Sequence, residues 1–177
     1  GTLLSQLLKD DPNDMQAIFL LAKARHIQKD YSDAVETFEK VDSMAANNAE
    51  INAGWGKSFL RNNQFPEAIA KLTRAIEIGT SDPWVTVDLA DAYMNISEYQ
   101  DALKLLRETF DKLGGNDVTN IGWEIGKRFV HALIKIGGAQ EALEVAAQLS
   151  ARYGHYSEIA KEIQSFENSI ESQIGLK

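Results

Sequence analysis

Apolar positions along the chain fall at helical spacings, and short polar or glycine-containing breaks separate the runs. Leu3, Leu4, Leu7 and Leu8 share one face of a short helix. Asp10-Asp11-Pro12-Asn13 ends it, because proline cannot continue a helix and restricts the residue before it. The next helix runs roughly from Met15 to Gln28, capped by Asn13 or Asp14. It turns Ile18, Leu21, Ala22 and Arg25 inward, with Phe19 on the flank. After Lys29-Asp30 a partner helix from Tyr31 to Ala45 buries Ala34, Val35, Phe38 and Val41.

The same arrangement then recurs. A second pair turns at Asn62-Asn63, with Ile51, Trp55, Gly56 and Phe59 inward before the turn and Ala68, Ile69, Leu72, Ala75 and Ile76 after it. Gly56 costs ~1 kcal/mol inside a helix, which is tolerable where two backbones approach closely. Gly79 suits a helix C-cap, Asp82 an N-cap and Pro83 a first helical position. A third pair buries Val87, Leu89, Ala90 and Tyr93, then Ala102, Leu103, Leu106 and Phe110, around a turn at Ser97-Glu98. Gly114-Gly115-Asn116-Asp117 closes it. In the fourth pair Val118, Ile121, Ile125, Phe129 and Leu133 precede a Gly137-Gly138 turn, and Ala142, Leu143, Ala146 and Leu149 follow it. A last helix from Ser157 to about Ser172 sets Ile159, Ala160, Ile163, Phe166 and Ile170 against Glu158, Glu162, Glu167 and Glu171 on its other face.

One phrase opens the second helix of each pair: Tyr31-Ser32-Asp33-Ala34, Phe65-Pro66-Glu67-Ala68, Tyr99-Gln100-Asp101-Ala102 and Ala139-Gln140-Glu141-Ala142. The acidic residue stands in the first turn, where the helix dipole favours it. Ala34, Ala68 and Ala102 are 34 residues apart, and Ala142 follows 40 after Ala102. A 34-residue period resembles the tetratricopeptide repeat family. Gly56 with Phe59, Ala90 with Tyr93, and the four alanines followed by Phe38, Leu72, Leu106 and Ala146 carry the likeness. It implies an all-α, right-handed solenoid of antiparallel helix pairs. The expected organisation is 1–12 as the second helix of a preceding repeat, repeats at 13–48, 49–82, 83–116 and 117–154, and a capping helix at 155–177. A chain opening at Gly1 is expected to continue upstream, where the partner of its first helix would lie. The six extra residues of the fourth repeat are read as added helix capped by Asn116 or Asp117, a structured loop over 117–122 being the alternative. Ile18, Asn52, Thr86 and Gly126 stand where the family often has tryptophan, and Arg25 where it has an aromatic. Val130 replaces the family's small residue, which predicts a wider or differently angled fourth pair.

Composition narrows the chemistry. A formal net charge of −8 argues against generic nucleic-acid binding. No apolar run reaches the ~20 residues of a membrane span, so no membrane insertion is expected. The absence of cysteine excludes disulfides and thiolate metal sites and fits an oxidising or a reducing compartment equally; the cytoplasm is the leading expectation, with the periplasm or another compartment as alternatives. His26, His131 and His155 show no metal-ligand spacing, and no phosphate loop or nucleophile elbow is present. The expectation is a protein that is not an enzyme and needs no cofactor or metal. Gly114-Gly115 reads as a plain turn, and the Asn95-Ile96-Ser97 sequon as chance. Trp55 reads as core, while Trp84 and Trp123 are open between core and groove.

The resemblance places a ligand on the concave face formed by first helices. The carboxylate-gripping set of chaperone-tail receptors is missing: the matching positions hold Phe19, Lys23, Gly54, Trp84 and Asp88, or, one repeat later, Ala53, Lys57, Asp88, Glu124 and Arg128. Lys23, Lys57 and His131 occupy equivalent places, with Asp91 in the third repeat, and form an expected row. Arg61 widens it, and Lys127 and Lys135 extend it. Such a row would steer an acidic protein or peptide segment anchored near Phe19, Leu60 or Trp84, unless Asp91 and neighbouring acids neutralise it. The leading expectation is therefore a protein-binding scaffold; self-association and a regulatory repeat region attached to an enzyme are the alternatives.

Overall fold

A computed structural model describes residues 6, 8–114, 119–173 and 175. Leu3, Leu4 and Leu7 of the expected first helix lie outside them, as do Gly115 to Val118; residues 8–10 are helical. The described elements are all helical: α1 (Met15–Ile27), α2 (Tyr31–Glu39), α3 (Asp42–Ala45), α4 (Ala49–Arg61), α5 (Phe65–Ile78), α6 (Trp84–Asn95), α7 (Tyr99–Leu113), α8 (Asn120–Lys135), α9 (Ala139–Tyr153) and α10 (Ser157–Gln173). They divide into two compact units, residues 1–92 and 93–177.

Side-chain caps fix where the helices begin. Asp14 accepts the backbone N–H groups of Gln16 and Ala17, both at 3.0 Å, and so is the cap of α1. Asn48 caps α4 through the Ile51 N–H at 3.1 Å. Asp82 accepts the Trp84 N–H at 3.0 Å ahead of α6. Thr119 caps α8 by accepting the Gly122 N–H at 3.2 Å. The fourth repeat's first helix is thus described from Asn120, with Thr119 as its cap; the expected caps Asn116 and Asp117 lie outside the described residues.

The turn inside each repeat is built the same way four times. Lys29, Asn63, Ser97 and Gly137 hold φ of 69°, 59°, 63° and 77°, in the left-handed region. Just beyond them Asp30, Gln64, Glu98 and Gly138 donate N–H bonds back to the carbonyls of Arg25, Phe59, Tyr93 and Leu133 at 2.9–3.0 Å. That five-residue return is the Schellman closure, which satisfies carbonyls the helix end leaves open.

The four phrase alanines are fully buried, as are Phe38, Leu72, Leu106 and Ala146 one turn on. A Cβ on Gly56 would come within 2.7 Å of Leu72 Cγ and 3.0 Å of its backbone nitrogen, so α4 and α5 touch there. The fourth repeat solves the same problem elsewhere. Val130 is fully buried, and the tight approach of α8 to α9 lies one turn earlier, where a Cβ on Gly126 would overlap Leu149. In the first unit Trp55 stacks between Phe38 and Phe59 at 6.4 and 5.7 Å, with the Lys71 ammonium 3.5 Å from its ring centre.

Three details differ from expectation. The Tyr31–Ala45 helix is interrupted: α2 ends at Glu39, and Val41, at φ −110° and ψ 16°, separates it from α3. The Thr37 hydroxyl bonds back to the Asp33 carbonyl at 2.6 Å just before the break, a back-bond of the kind that bends helices. Leu21, Ile69, Ile76 and Tyr93 are half-buried rather than buried; Leu143 and Ala147, the expected seat of the capping helix, are half-buried and exposed. The last helix, α10, instead packs along α9 and α8 through Ile163 and Ile170, both buried, and Gln173 Nε2 donates to the Ile134 carbonyl at 3.3 Å.

Candidate functional site

A cleft of the first unit has a volume of about 440 Å³. Phe38, Ala53 and Gly54 form an apolar part of its lining, and Ile27, 77% exposed, stands at its edge. Lys23 and His26 come from α1, Ala49, Glu50 and Lys57 from α4, and Gly79 to Asp82 from the loop after α5. Gly54 keeps the floor open to the Phe38 ring: a Cβ there would lie 2.9 Å from Phe38 Cζ.

Eight of the ten expected groove residues fall into three groups. Lys23 and Lys57 meet on this one cleft. Phe19 and Leu60, expected as apolar anchors, are buried at 7% and 5% exposure; Phe19 packs against Phe38 with ring centres 6.2 Å apart. Trp84, at 40% exposure, is the exposed member of that trio, whereas Trp123 is buried edge-on to Tyr153. Asp91 is half-buried. Lys127, His131 and Lys135 stand on successive turns of α8 in the second unit. Lys127 pairs with Glu124 at 2.9 Å and Glu162 at 3.9 Å, and Lys135 makes no ion pair with any described residue.

The first unit's part of the row is not a positive strip. Lys23 pairs with Glu50 at 2.6 Å, Lys57 with Asp82 at 2.5 Å and Asp88 at 3.8 Å, and Arg61 with Asp88 at 3.3 Å. Asp88 is buried; burial raises its pKa even though Lys57 and Arg61 oppose the shift. For Asp82 burial raises the pKa, but the Lys57 hydrogen bond and the Trp84 N–H outweigh it and the net shift is downward. Two of these pairs, Lys23–Glu50 and Arg61–Asp88, join residues 27 apart. A residue on one first helix therefore meets one two turns earlier on the next, since 27 is the period less two turns. That spacing is readable in the sequence and foretells the neutralisation.

His26 is the residue that spacing alone could not single out. Its Nδ1 lies 3.0 Å from Ser58 Oγ, and its ring meets the Tyr31 ring edge-on at 5.4 Å. Burial, then Arg61 and Lys57, lowers its pKa. Among the described residues no group of three metal-ligating side chains assembles, and no helix is long and apolar enough to cross a membrane.

Comparison with known proteins agrees with the repeat geometry. Sequence models of the tetratricopeptide repeat match residues 2–49 and 59–116, together more than half of the chain. No curated protein sequence matches it. Among solved structures the chain is similar to MamA at 20% identity, with a TM-score of 0.76 over 88% of this chain and 87% of that one. It is similar to a putative kinesin light chain of Podosopora anserina at 19% identity, TM-score 0.75, over 94% and 89%. YrrB, described as a TPR protein with an unusual peptide-binding site, matches at 16% identity and TM-score 0.69 over 96% and 89%. With its period, its repeated turn and its buried alanines, the chain belongs to the tetratricopeptide repeat family.

Proposed function

We propose that the protein is a non-enzymatic interaction module whose first-unit cleft receives a segment of a partner protein. The observation that carries this reading is the cleft itself. It combines an apolar floor, a rim of paired charges and an exposed isoleucine in a volume suited to one or two side chains. The peptide-binding site named for YrrB lends support at the level of the shared fold. A purely electrostatic attraction for acidic segments has less support in this unit, because Lys23, Lys57 and Arg61 already have carboxylate partners.

The test uses a displayed library of random peptides sorted on the full chain. Charge reversal at Lys57 and Arg61 would disturb Asp82 and Asp88 and so confuse stability with binding. Ala49→Phe is cleaner: Ala49 is the first residue of α4, half-buried, and lines the cleft. Peptides that occupy the cleft should lose about tenfold or more in affinity for this variant, a change of about 1.4 kcal/mol or more. Its circular dichroism should be that of the parent. Enriched peptides that bind both proteins equally would refute the cleft as the site.

A further inference from the structure

We infer that this cleft selects a partner segment presenting a neutral hydrogen-bond donor to His26 Nε2, beside an apolar side chain seated against Ile27 and Gly54. The inference rests on reading the cleft as the binding site, and it names the chemistry of the ligand: an uncharged donor such as a backbone N–H, hydroxyl, amide or indole.

The Ser58 hydroxyl donates to the Gly54 carbonyl, one turn back on α4, at 2.8 Å. A hydroxyl has a single hydrogen, so toward His26 Nδ1, at 3.0 Å, the Ser58 oxygen is an acceptor. His26 Nδ1 therefore carries the imidazole proton and donates it to Ser58 Oγ. In the neutral ring the Nε2 lone pair is then left for another donor. No described residue occupies Nε2, and His26 lines the cleft.

The groups around the ring keep that lone pair available. Lys23 stands on its own helix, Tyr31 on α2, Glu50, Lys57 and Arg61 on α4, and Asp82 on the loop beyond α5. Lys23 is taken by Glu50 and Lys57 by Asp82, so the rim's charges are matched. Burial and the two neighbouring cations, Arg61 and Lys57, hold the imidazole neutral to lower pH than usual. A ligand carboxylate would have to displace Glu50 or Asp82 from a lysine. A neutral donor meets an acceptor that is already oriented and has nothing to displace.

Two measurements decide it. In the free chain, imidazole nitrogen shifts above the His26 pKa should report Nδ1–H and a bare Nε2. The opposite tautomer overturns the inference and leaves the cleft reading standing. Peptides from the displayed library whose binding Ala49→Phe weakens are then titrated from about pH 7.5 to about pH 5. Their affinity should fall toward about tenfold per pH unit below the His26 pKa, because protonated Nε2 donates instead of accepting. His26→Gln, which supplies a carbonyl acceptor at every pH, should bind with a flat profile, and His26→Phe should bind several-fold more weakly at neutral pH. Carboxylate-rich peptides that bind tighter as pH falls, or peptides indifferent to His26→Phe, overturn the inference. Peptides indifferent to Ala49→Phe would sink the cleft reading and the inference with it.

Discussion

Val130 fills the position that Ala22, Gly56 and Ala90 hold in the other repeats, and Gly126, one turn earlier, gives back the space it takes. The sequence shows both departures separately; only the packing shows that they compensate. The two glycines differ in what surrounds them. At Gly56 an added methyl meets Leu72 Cγ and the Leu72 backbone nitrogen, which cannot swing aside. At Gly126 it meets the methyl ends of Leu149 and the edge of Phe110, which can adjust slightly. Glycine-to-alanine gains about 1 kcal/mol of helix propensity, and overpacking costs about 1–3 kcal/mol. Gly56→Ala should therefore be net destabilising and Gly126→Ala closer to neutral, as read from urea midpoints. The phrase alanines make a sharper case, because Ala68 and Ala102 have no exposed surface. Leucine at either should lower stability by about 1–3 kcal/mol through overpacking. Midpoints equal to the parent's would show that these alanines do not sit between helices. The site was less legible at this scale. The period brought Lys23 and Lys57 to one cleft, but His26 and Ser58 stand 32 residues apart with no pattern joining them.

Elements were legible where a turn or cap residue punctuates them. The Schellman turns at Lys29, Asn63, Ser97 and Gly137 follow from the period, and Asp14 and Asp82 act as the expected caps. The break between α2 and α3 was not, because Thr37 in a helical run does not reveal whether its hydroxyl bonds to solvent or to Asp33. The start of α8 depends on Thr119, a weaker cap type than the asparagine and aspartate just before it. Tyr153 explains the choice: its hydroxyl donates to the Thr119 carbonyl at 3.1 Å, tying the end of α9 to the beginning of α8. The final helix closes the second unit. Ile163 and Ile170 are buried against α9 and α8, and at about 1.5–3 kcal/mol for each fully buried side chain they contribute roughly 3–6 kcal/mol. Removing residues after Gly154 should expose that apolar face, lower the melting midpoint sharply and promote aggregation. A truncated chain that remains monomeric with the parent's midpoint would exclude a capping role for α10.

Across the protein, pH dependence reports on how the charges are held. His26 and His131 have lowered pKa values, His26 from burial, Arg61 and Lys57, and His131 from burial and Lys135. The unfolded chain binds protons at these histidines from about pH 6.5, before the native state does. Stability must then fall as pH drops below about 6.5, and the decline ends once pH passes below the native values. The carboxylates act in a lower window. Asp82 and Glu124 are held down on balance, burial being outweighed by their basic partners, so their contribution is present above 3.8 and 4.5 and is lost as pH falls through their native values. Asp88 has the opposite sign: buried, with a raised pKa, its native carboxyl takes up a proton first and offsets part of that loss. The melting midpoint should therefore decline between about pH 7 and about pH 5, ahead of most carboxylate titration. His26→Gln and His131→Gln should each flatten part of that slope, and the double variant most of it. A parent midpoint that stays level across this interval would mean that the folded chain does not hold His26 and His131 neutral below the usual histidine range.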